Sequence, residues 1–368
     1  MLGTIGAGGT MSAISLEDVR VVRDGNTILD IDYLEIPDGE FLVALGPSGA
    51  GKSTLLRAIA GLDTIQGGSI RFGGVDMSDV VTAERGVAMV FQDQALYPFL
   101  DVRGNVGFPL KLRKTPPQEV ASRVEAEARV LEIAHLLARK PAELGAGHQQ
   151  LVQAARALVR VPEVFLMDEP LARLDAHLRV QMRQEFRLLQ QGYGVTTVFV
   201  TNDQQEAMVI ADRIVVLRQG AIQQIAPPMD LYRWPQTKFV AGFIGSMGFV
   251  PATVSSEGTG FFVSMGEFRL RAWTPSLASA VAGEVEVGIR PEDVVADAGG
   301  VSVRCGRGYF AGSHGIVDIE IAPGHTVEMR TDGAAPPPGT SIRIRLRRLH
   351  IFDPRTGLVL GRIEDGAG

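Results

Sequence analysis

A single cysteine, Cys305, occurs among the 368 residues, so no intrachain disulfide or cysteine metal cluster can form and a reducing compartment fits best. No nucleophile pattern surrounds it. The six histidines never pair at i,i+4 and make no H-E-x-x-H, which leaves no zinc site to expect. An uninterrupted apolar run of about 18 residues is also missing, and the opening MLGTIGAGGT has neither a basic start nor a sustained apolar stretch. The chain is therefore expected neither to span a membrane nor to enter secretion. Lys+Arg number 36 against 42 Asp+Glu, a formal charge of −6 that argues against a general binder of phosphate backbones, so no nucleic-acid partner is expected. Few of those basic residues are lysines, and one of them, Lys52, lies in the most informative stretch.

With 45% hydrophobic residues, 43 Gly and 20 Pro, the composition is that of a globular protein rich in turns, and the length supports two domains or three. Residues 1–14 read as a flexible, Gly-rich extension. From 15 to 45 the pattern alternates like strands, with Asp24-Gly25 as a hairpin turn. Phe41 to Leu45 reads as a buried strand stopping at Gly46, and Leu55 to Ala60 as the helix after the intervening loop. Helical spacing runs over Pro117 to Lys140 and again over Gly145 to Val159. Val164 to Met167, Thr196 to Val200 and Ile214 to Leu217 are short buried strands, with a helix over Ala176 to Gln190. This alternation predicts an α/β parallel sheet. Beyond about Gly248 the texture changes to short β segments broken by Gly, Pro and Asp, which predicts a separate all-β barrel or sandwich. The expected division is 15–247, with a helical portion over about 92–162, and 248–368.

Gly46-Pro47-Ser48-Gly49-Ala50-Gly51-Lys52-Ser53, followed on the helix by Thr54, satisfies G-x-x-x-x-G-K-[ST] between a hydrophobic strand and a helix. Glycines let consecutive backbone N–H groups point inward around a phosphate, and the positive end of the next helix faces the same anion. Lys52 is expected to reach the β- and γ-phosphate oxygens, and Ser53 to offer Mg²⁺ a hard oxygen ligand. A second hydrophobic strand, Val164-Phe165-Leu166-Met167, ends in Asp168-Glu169-Pro170. There Asp168 suits the Mg²⁺ shell, and Glu169 suits a base that takes a proton from an attacking water. Together the two motifs imply nucleoside triphosphate hydrolysis.

At this point the residues resemble the ATP-binding subunits of ABC transporters, specifically the carbohydrate-import type, over roughly residues 15–365. Val90-Phe91-Gln92-Asp93-Gln94-Ala95-Leu96-Tyr97-Pro98 is similar to the family's Q-loop, and Asn105 completes that pattern. Leu171-Ala172-Arg173-Leu174-Asp175 resembles the D-loop; Gly288-Ile289-Arg290-Pro291-Glu292 and the segment from Ile351 to Gly357 resemble the regulatory TOBE domain. The resemblance implies a P-loop NTPase domain with a helical subdomain and a C-terminal all-β, OB-like domain. It implies ATP and Mg²⁺ as cofactors, with Gln92 sensing Mg²⁺ and water and the Leu-Tyr-Pro portion lining a groove for a permease helix. Implied partners are a second ATP-binding subunit, identical or paralogous, two transmembrane permease subunits and, indirectly, an external solute-binding protein. The expected location is the cytoplasmic face of the cell membrane.

Two segments depart from the family pattern. Its L-S-G-G-Q signature is here Leu144-Gly145-Ala146-Gly147-His148, so the serine hydroxyl that touches the partner's nucleotide is missing while the helix-start N–H groups remain. The switch segment Val200-Thr201-Asn202-Asp203-Gln204 carries Asn202 where the family has histidine; an amide donates a hydrogen bond yet neither titrates nor carries charge. Arg23 and Asp24 stand where an adenine-stacking aromatic is usual. The leading expectation is a slow ATPase energising a sugar importer. An alternative is a hydrolysis-impaired regulatory subunit that needs a paralogous ATPase. An OB-fold nucleic-acid protein is a third, resting on Arg343, Arg345, Arg347 and Arg348, which alternation assigns instead to one polar strand face.

Overall fold

The computed structural model describes residues 12–91, 96–257, 260–272 and 283–364. Its contacts divide the chain into two units, Met1–Met229 and Asp230–Gly368. The packing boundary thus falls before the change of sequence texture near residue 247.

In the first unit, β1 (Ile14–Arg23) and β2 (Asn26–Ile36) form the expected hairpin. Its turn puts Asp24 and Gly25 at φ 51° and 77°, the left-handed pair that matches strand twist. Strand β3 (Phe41–Leu45) is buried throughout, and α1 (Lys52–Ala60) follows the glycine loop. The pair β4 (Gly67–Phe72) and β5 (Val75–Asp76) completes an antiparallel sheet of order β2-β1-β4-β5. After β6 (Val87–Val90) come the helices α2 (Val102–Leu112), α3 (Pro117–Val130) and α4 (Ala146–Leu158). Next are β7 (Val164–Asp168), α5 (Ala176–Tyr193), β8 (Thr196–Thr201), α6 (Gln204–Ile210), β9 (Arg213–Arg218) and β10 (Ala221–Ala226).

These last strands, with β3 and β6, build a six-stranded sheet of order β10-β9-β3-β8-β7-β6, parallel except for β10. Sheet faces and α1 share one core in which Leu55, Leu56 and Ile59 are wholly buried beside Leu16, Ile70 and Val198. Burying each such side chain is worth about 1.5–3 kcal/mol. Arg85 locks the far end of α1: its guanidinium, 4% exposed, donates to the Ala58 and Ile59 carbonyls at 3.0 Å, where a helix C-terminus favours a cation.

The helical stretch expected over Pro117 to Lys140 is interrupted. Leu131 caps α3, Glu132 follows at φ 55°, and two short 3₁₀ turns, Ala134–Leu136 and Pro141–Glu143, carry the chain to Leu144. A left-handed residue cannot continue a right-handed helix.

Two short helices, α7 (Pro228–Arg233) and α8 (Lys238–Phe243), lead into strands. One sheet joins β11 (Gly248–Glu257), β12 (Gly260–Met265), β13 (Phe268–Ala272), β14 (Gly283–Ile289), β19 (Arg348–Phe352) and β20 (Val359–Glu364) in the order β13-β12-β11-β14-β19-β20. The other, β17-β16-β15-β18, uses β15 (Val294–Phe310), β16 (Gly315–Ala322), β17 (His325–Thr331) and β18 (Ser341–Leu346). Both sheets contribute to a single core of Val250, Val287, Ile319 and Ile351, and Cys305 is buried in it with its thiol pushed up by burial, as suits an inert packing residue. Arg343 and Arg345 fall on the exposed face of β18, with Ile344 and Leu346 inward.

Candidate nucleotide site

Sheet order brings three distant stretches together. Strand β3 runs beside β8 with Leu45 opposite Thr201, and β8 runs beside β7 with Val200 opposite Asp168. The carboxyl ends of three neighbouring parallel strands therefore present Gly46, Asn202 and Asp168-Glu169 at one edge, where open α/β sheets bind ligands.

Gly46 to Gly51 wrap between β3 and α1 as expected. A side chain at Gly46 would bring its Cβ within 2.4 Å of the Leu217 carbonyl oxygen, so only glycine fits there. Gly51, at φ 98°, turns the chain into α1. Pro47, Ser48 and Gly49 stay exposed on the rim, and Thr54 is buried on the helix's inner face.

Lys52 is 4% exposed, and its Nζ donates to the Gly46 and Pro47 carbonyls at 2.9 and 3.0 Å and to Asn202 Oδ1 at 2.5 Å. Burial lowers its pKa, opposed by the Glu169 and Asp168 carboxylates. Asn202 is the bridge: while its carbonyl accepts from Lys52, its Nδ2 donates to Glu169 Oε1. The amide donor is thus committed to Glu169. Beside it, Ser53 Oγ donates to Asp168 Oδ1 at 3.0 Å. Burial raises the Asp168 pKa, partly countered by that hydrogen bond and by Lys52 and Arg57.

Glu169 itself sits at φ 45°, with its amide donating to the Val200 carbonyl at 3.0 Å. A left-handed glutamate is costly for a residue without special backbone tolerance, and such strain collects at functional positions. Ser53 and Asp168 offer only hard oxygen donors, the set that suits Mg²⁺, an ion that keeps its waters and takes few protein ligands. Gln92, the third metal candidate, lies outside the described residues.

Gly145 to His148 lie elsewhere in the unit, at the start of α4, where they line a cavity of about 380 Å³ with His135, Leu178 and Glu185. Gly145 is the N-cap and has no side chain to cap the helix, so N–H groups of the first turn are left for another partner. Gly147 packs against Leu178, whose Cδ1 would have to shift from a Cβ placed there at 2.8 Å. His148 is exposed, its ring edge-on to His135 at 6.1 Å between centroids. Gln149 Nε2 pins the incoming loop by donating to the Pro141 and Leu144 carbonyls at 3.0 and 3.1 Å, a role no motif announced.

Three further expectations find positions. Arg23 donates to Asp63 at 3.1 Å on the surface. Asp175 caps α5 by accepting from the Leu178 amide at 2.9 Å. Asn105, fully buried, accepts from the Tyr97 amide and donates to the Tyr97, Leu100 and Asp101 carbonyls, which fixes the Leu-Tyr-Pro turn. That turn borders a groove of about 610 Å³ lined by Phe91, Tyr97, Phe108, Leu112 and Arg156. The Arg156 guanidinium lies 5.2 Å from the Tyr97 ring centroid.

Residues 29–172 match the family described as ABC transporter. Over 363 residues the chain is 44% identical to the sn-glycerol-3-phosphate import ATP-binding protein UgpC of Ruegeria sp. (strain TM1040), covering 94% of this chain and 99% of that protein. It is 42% identical over 372 residues to the trehalose/maltose import ATP-binding protein MalK of Thermococcus litoralis, with the same coverage of 94% and 99%. Among solved structures, cbiO1 from Clostridium perfringens, part of the ABC transporter complex cbiONQ, superposes with a TM-score of 0.56 at 26% identity, over 59% of this chain and 89% of that one.

Proposed function

Because this chain belongs to the ABC transporter family as an importer-type ATP-binding subunit, we propose that it hydrolyses ATP at the β3, β7 and β8 strand ends to drive import of a sugar or sugar derivative. The observation that carries this is the linked pair of contacts, Lys52–Asn202–Glu169 and Ser53–Asp168, at one sheet edge. Backbone N–H groups of the glycine loop and the Lys52 ammonium hold the phosphates. Glu169 accepts the proton of the attacking water, and Asn202 keeps its carboxylate and the Lys52 ammonium in register. Ser53 and Asp168 would hold Mg²⁺, with Gln92 as a third donor, and the ion would supply positive charge against the phosphate oxygens.

A glycine at the N-cap of α4 suits presentation of bare N–H groups to a second chain's nucleotide, which supports assembly with another ATP-binding subunit, identical or paralogous. The aromatic groove beside Tyr97 suits an apolar helix end, which supports docking to two membrane permeases that receive solute from an external binding protein. No helix among the described residues is long and apolar enough to cross a membrane, and the protein is placed in this reading at the cytoplasmic face, held by its permeases.

The test is steady-state phosphate release with Mg²⁺ and ATP, alone and with the permeases, beside Glu169→Gln. Turnover that falls at least about a hundredfold in the variant supports the reading. Tight ATP binding without turnover in either preparation overturns it in favour of a hydrolysis-impaired regulatory subunit, the second reading that the uncapped Gly145 favours.

A further inference from the structure

In the second unit, a cavity of about 300 Å³ opens between the α7 end and strands β14, β19 and β20. Four guanidinium groups line it, those of Arg233, Arg290, Arg348 and Arg362. Of the two lining carboxylates, Asp293 is committed to Arg348 through a 2.8 Å contact, and Glu364 is exposed at the rim.

Positive charge exceeds negative there: four arginines meet Asp293, Glu364 and, beside Tyr232, Glu292. Arg290 is 2% exposed; its two Nη atoms are satisfied by the Ile244, Ser246 and Tyr232 carbonyls, yet its Nε has no hydrogen-bond partner. His350, 6% exposed, has an unpartnered Nδ1, and Arg362, directly opposite it across β19 and β20, has an unpartnered Nε. Three buried nitrogens left unmatched around one cavity are unusual, because each costs about 1–3 kcal/mol when desolvated without a partner. Aromatic faces hold two of the arginines: Arg290 lies 3.6 Å from the Tyr232 centroid and Arg362 lies 4.2 Å from that of Trp234. Such stacking fixes each guanidinium plane, with the Arg290 Nη groups already donating to carbonyls and its Nε left unpartnered.

We propose that this cavity binds a small tetrahedral oxyanion, either inorganic phosphate or the phosphate monoester of a short polyol. Arginine forks match phosphate oxygens two at a time, and His350 supplies a further neutral nitrogen. The volume of about 300 Å³ admits a phosphate with several further heavy atoms. Burial, and then Arg362, Arg290 and Arg348, hold the His350 pKa down at about 3, so its imidazole is neutral at physiological pH. A bound dianion would offset those cations and raise that pKa.

The site is independent of hydrolysis and is tested without it. Full-length protein carrying Trp273→Phe leaves Trp234 as the only indole; its emission is followed with the glycine loop saturated by Mg²⁺ and a non-hydrolysable ATP analogue. Inorganic phosphate, sn-glycerol 3-phosphate and chloride are titrated at constant ionic strength. Saturation by phosphate, weakened at least about tenfold in Arg362→Met, is expected, since a lost charged hydrogen bond is worth about 1.5–3 kcal/mol. Saturation by the monoester alone assigns the ligand to that source; equal saturation by both assigns it to the phosphate group itself. A response to chloride equal to that of phosphate, or an Arg362→Met titration unchanged from the parent, overturns the proposal. Should Arg362→Met fail to fold, the His350 ring resonances of the unaltered sequence at pH 7 decide the matter: phosphate must shift them saturably where chloride does not, and unmoved resonances overturn the site.

Discussion

The strand-end half of the proposed nucleotide site and its proposed α4 half are built on opposite plans. At the strand ends five candidate side chains among the described residues already touch one another: Lys52 meets Asn202, Asn202 meets Glu169, and Ser53 meets Asp168. At the start of α4, Gly145 contributes no side chain, and His148 faces a cavity. One half is preorganised within the chain, and the other offers only backbone donors. Preorganised groups lose little on reaching the transition state, whereas a bare helix end depends on what is brought to it. Catalytic strength should therefore reside in the first half and be adjustable through the second.

The largest test of that contrast is Glu169→Gln, which should cut phosphate release at least about a hundredfold while nucleotide binding survives, as measured by steady-state assay and equilibrium binding. Retention of most turnover would show that the base lies elsewhere. Next is Gly145→Ser. Nothing lies within 4 Å of the Cβ it would add, and the backbone there is ordinary at φ −66°. A new hydroxyl donor to a phosphate should raise turnover of the assembled transporter by about tenfold; a fall in rate would break the contrast. Asn202→His should lower the rate by up to about tenfold, because it replaces the amide that joins Lys52 to Glu169 through hydrogen bonds to charged groups.

The smallest effect concerns stability and sharpens the same comparison. Glu127, buried on α3 among the helices that carry the α4 half, has its pKa raised from 4.5 to about 7 by burial, with the Tyr193 hydroxyl pulling the other way. Between those values the folded protein keeps a proton that the unfolded chain has lost, so stability falls as pH rises from 4.5 to 7 and then levels. Glu127→Gln should remove the decline and raise the unfolding midpoint at pH 8 by a few degrees. His350 in the second unit works in the opposite sense. It stays neutral down to about pH 3 while the unfolded chain protonates near 6.5, so its contribution is present above 6.5 and lost as pH falls through that window. Thermal unfolding of His350→Gln should lose that acid sensitivity.

Local chemistry was readable from the chain and long-range geometry was not. The glycine loop, its flanking strand and helix, and the Asp168-Glu169 strand end each follow from contiguous residues. Strand β15 went unread because Gly299, Gly300, Gly306 and Gly308 break its alternation; a bulge between Ala296 and Val301 accommodates the first two. The Asn202 bridge joins positions 150 and 33 residues apart, and no spacing rule encodes such a meeting. The arginine cavity is harder still, gathering side chains from 233 to 362 that no motif connects.

The place of β3 in its sheet also sets a timetable for synthesis. This fully apolar strand pairs only with β8 and β9, which begin at Thr196 and Arg213. At roughly 5–20 residues per second, a ribosome needs on the order of ten seconds or more after making β3 before either neighbour emerges. Throughout that interval the nascent chain carries a sticky segment with both edges open, which makes β3 the natural handhold for a chaperone and the first place where crowded expression would turn to aggregation.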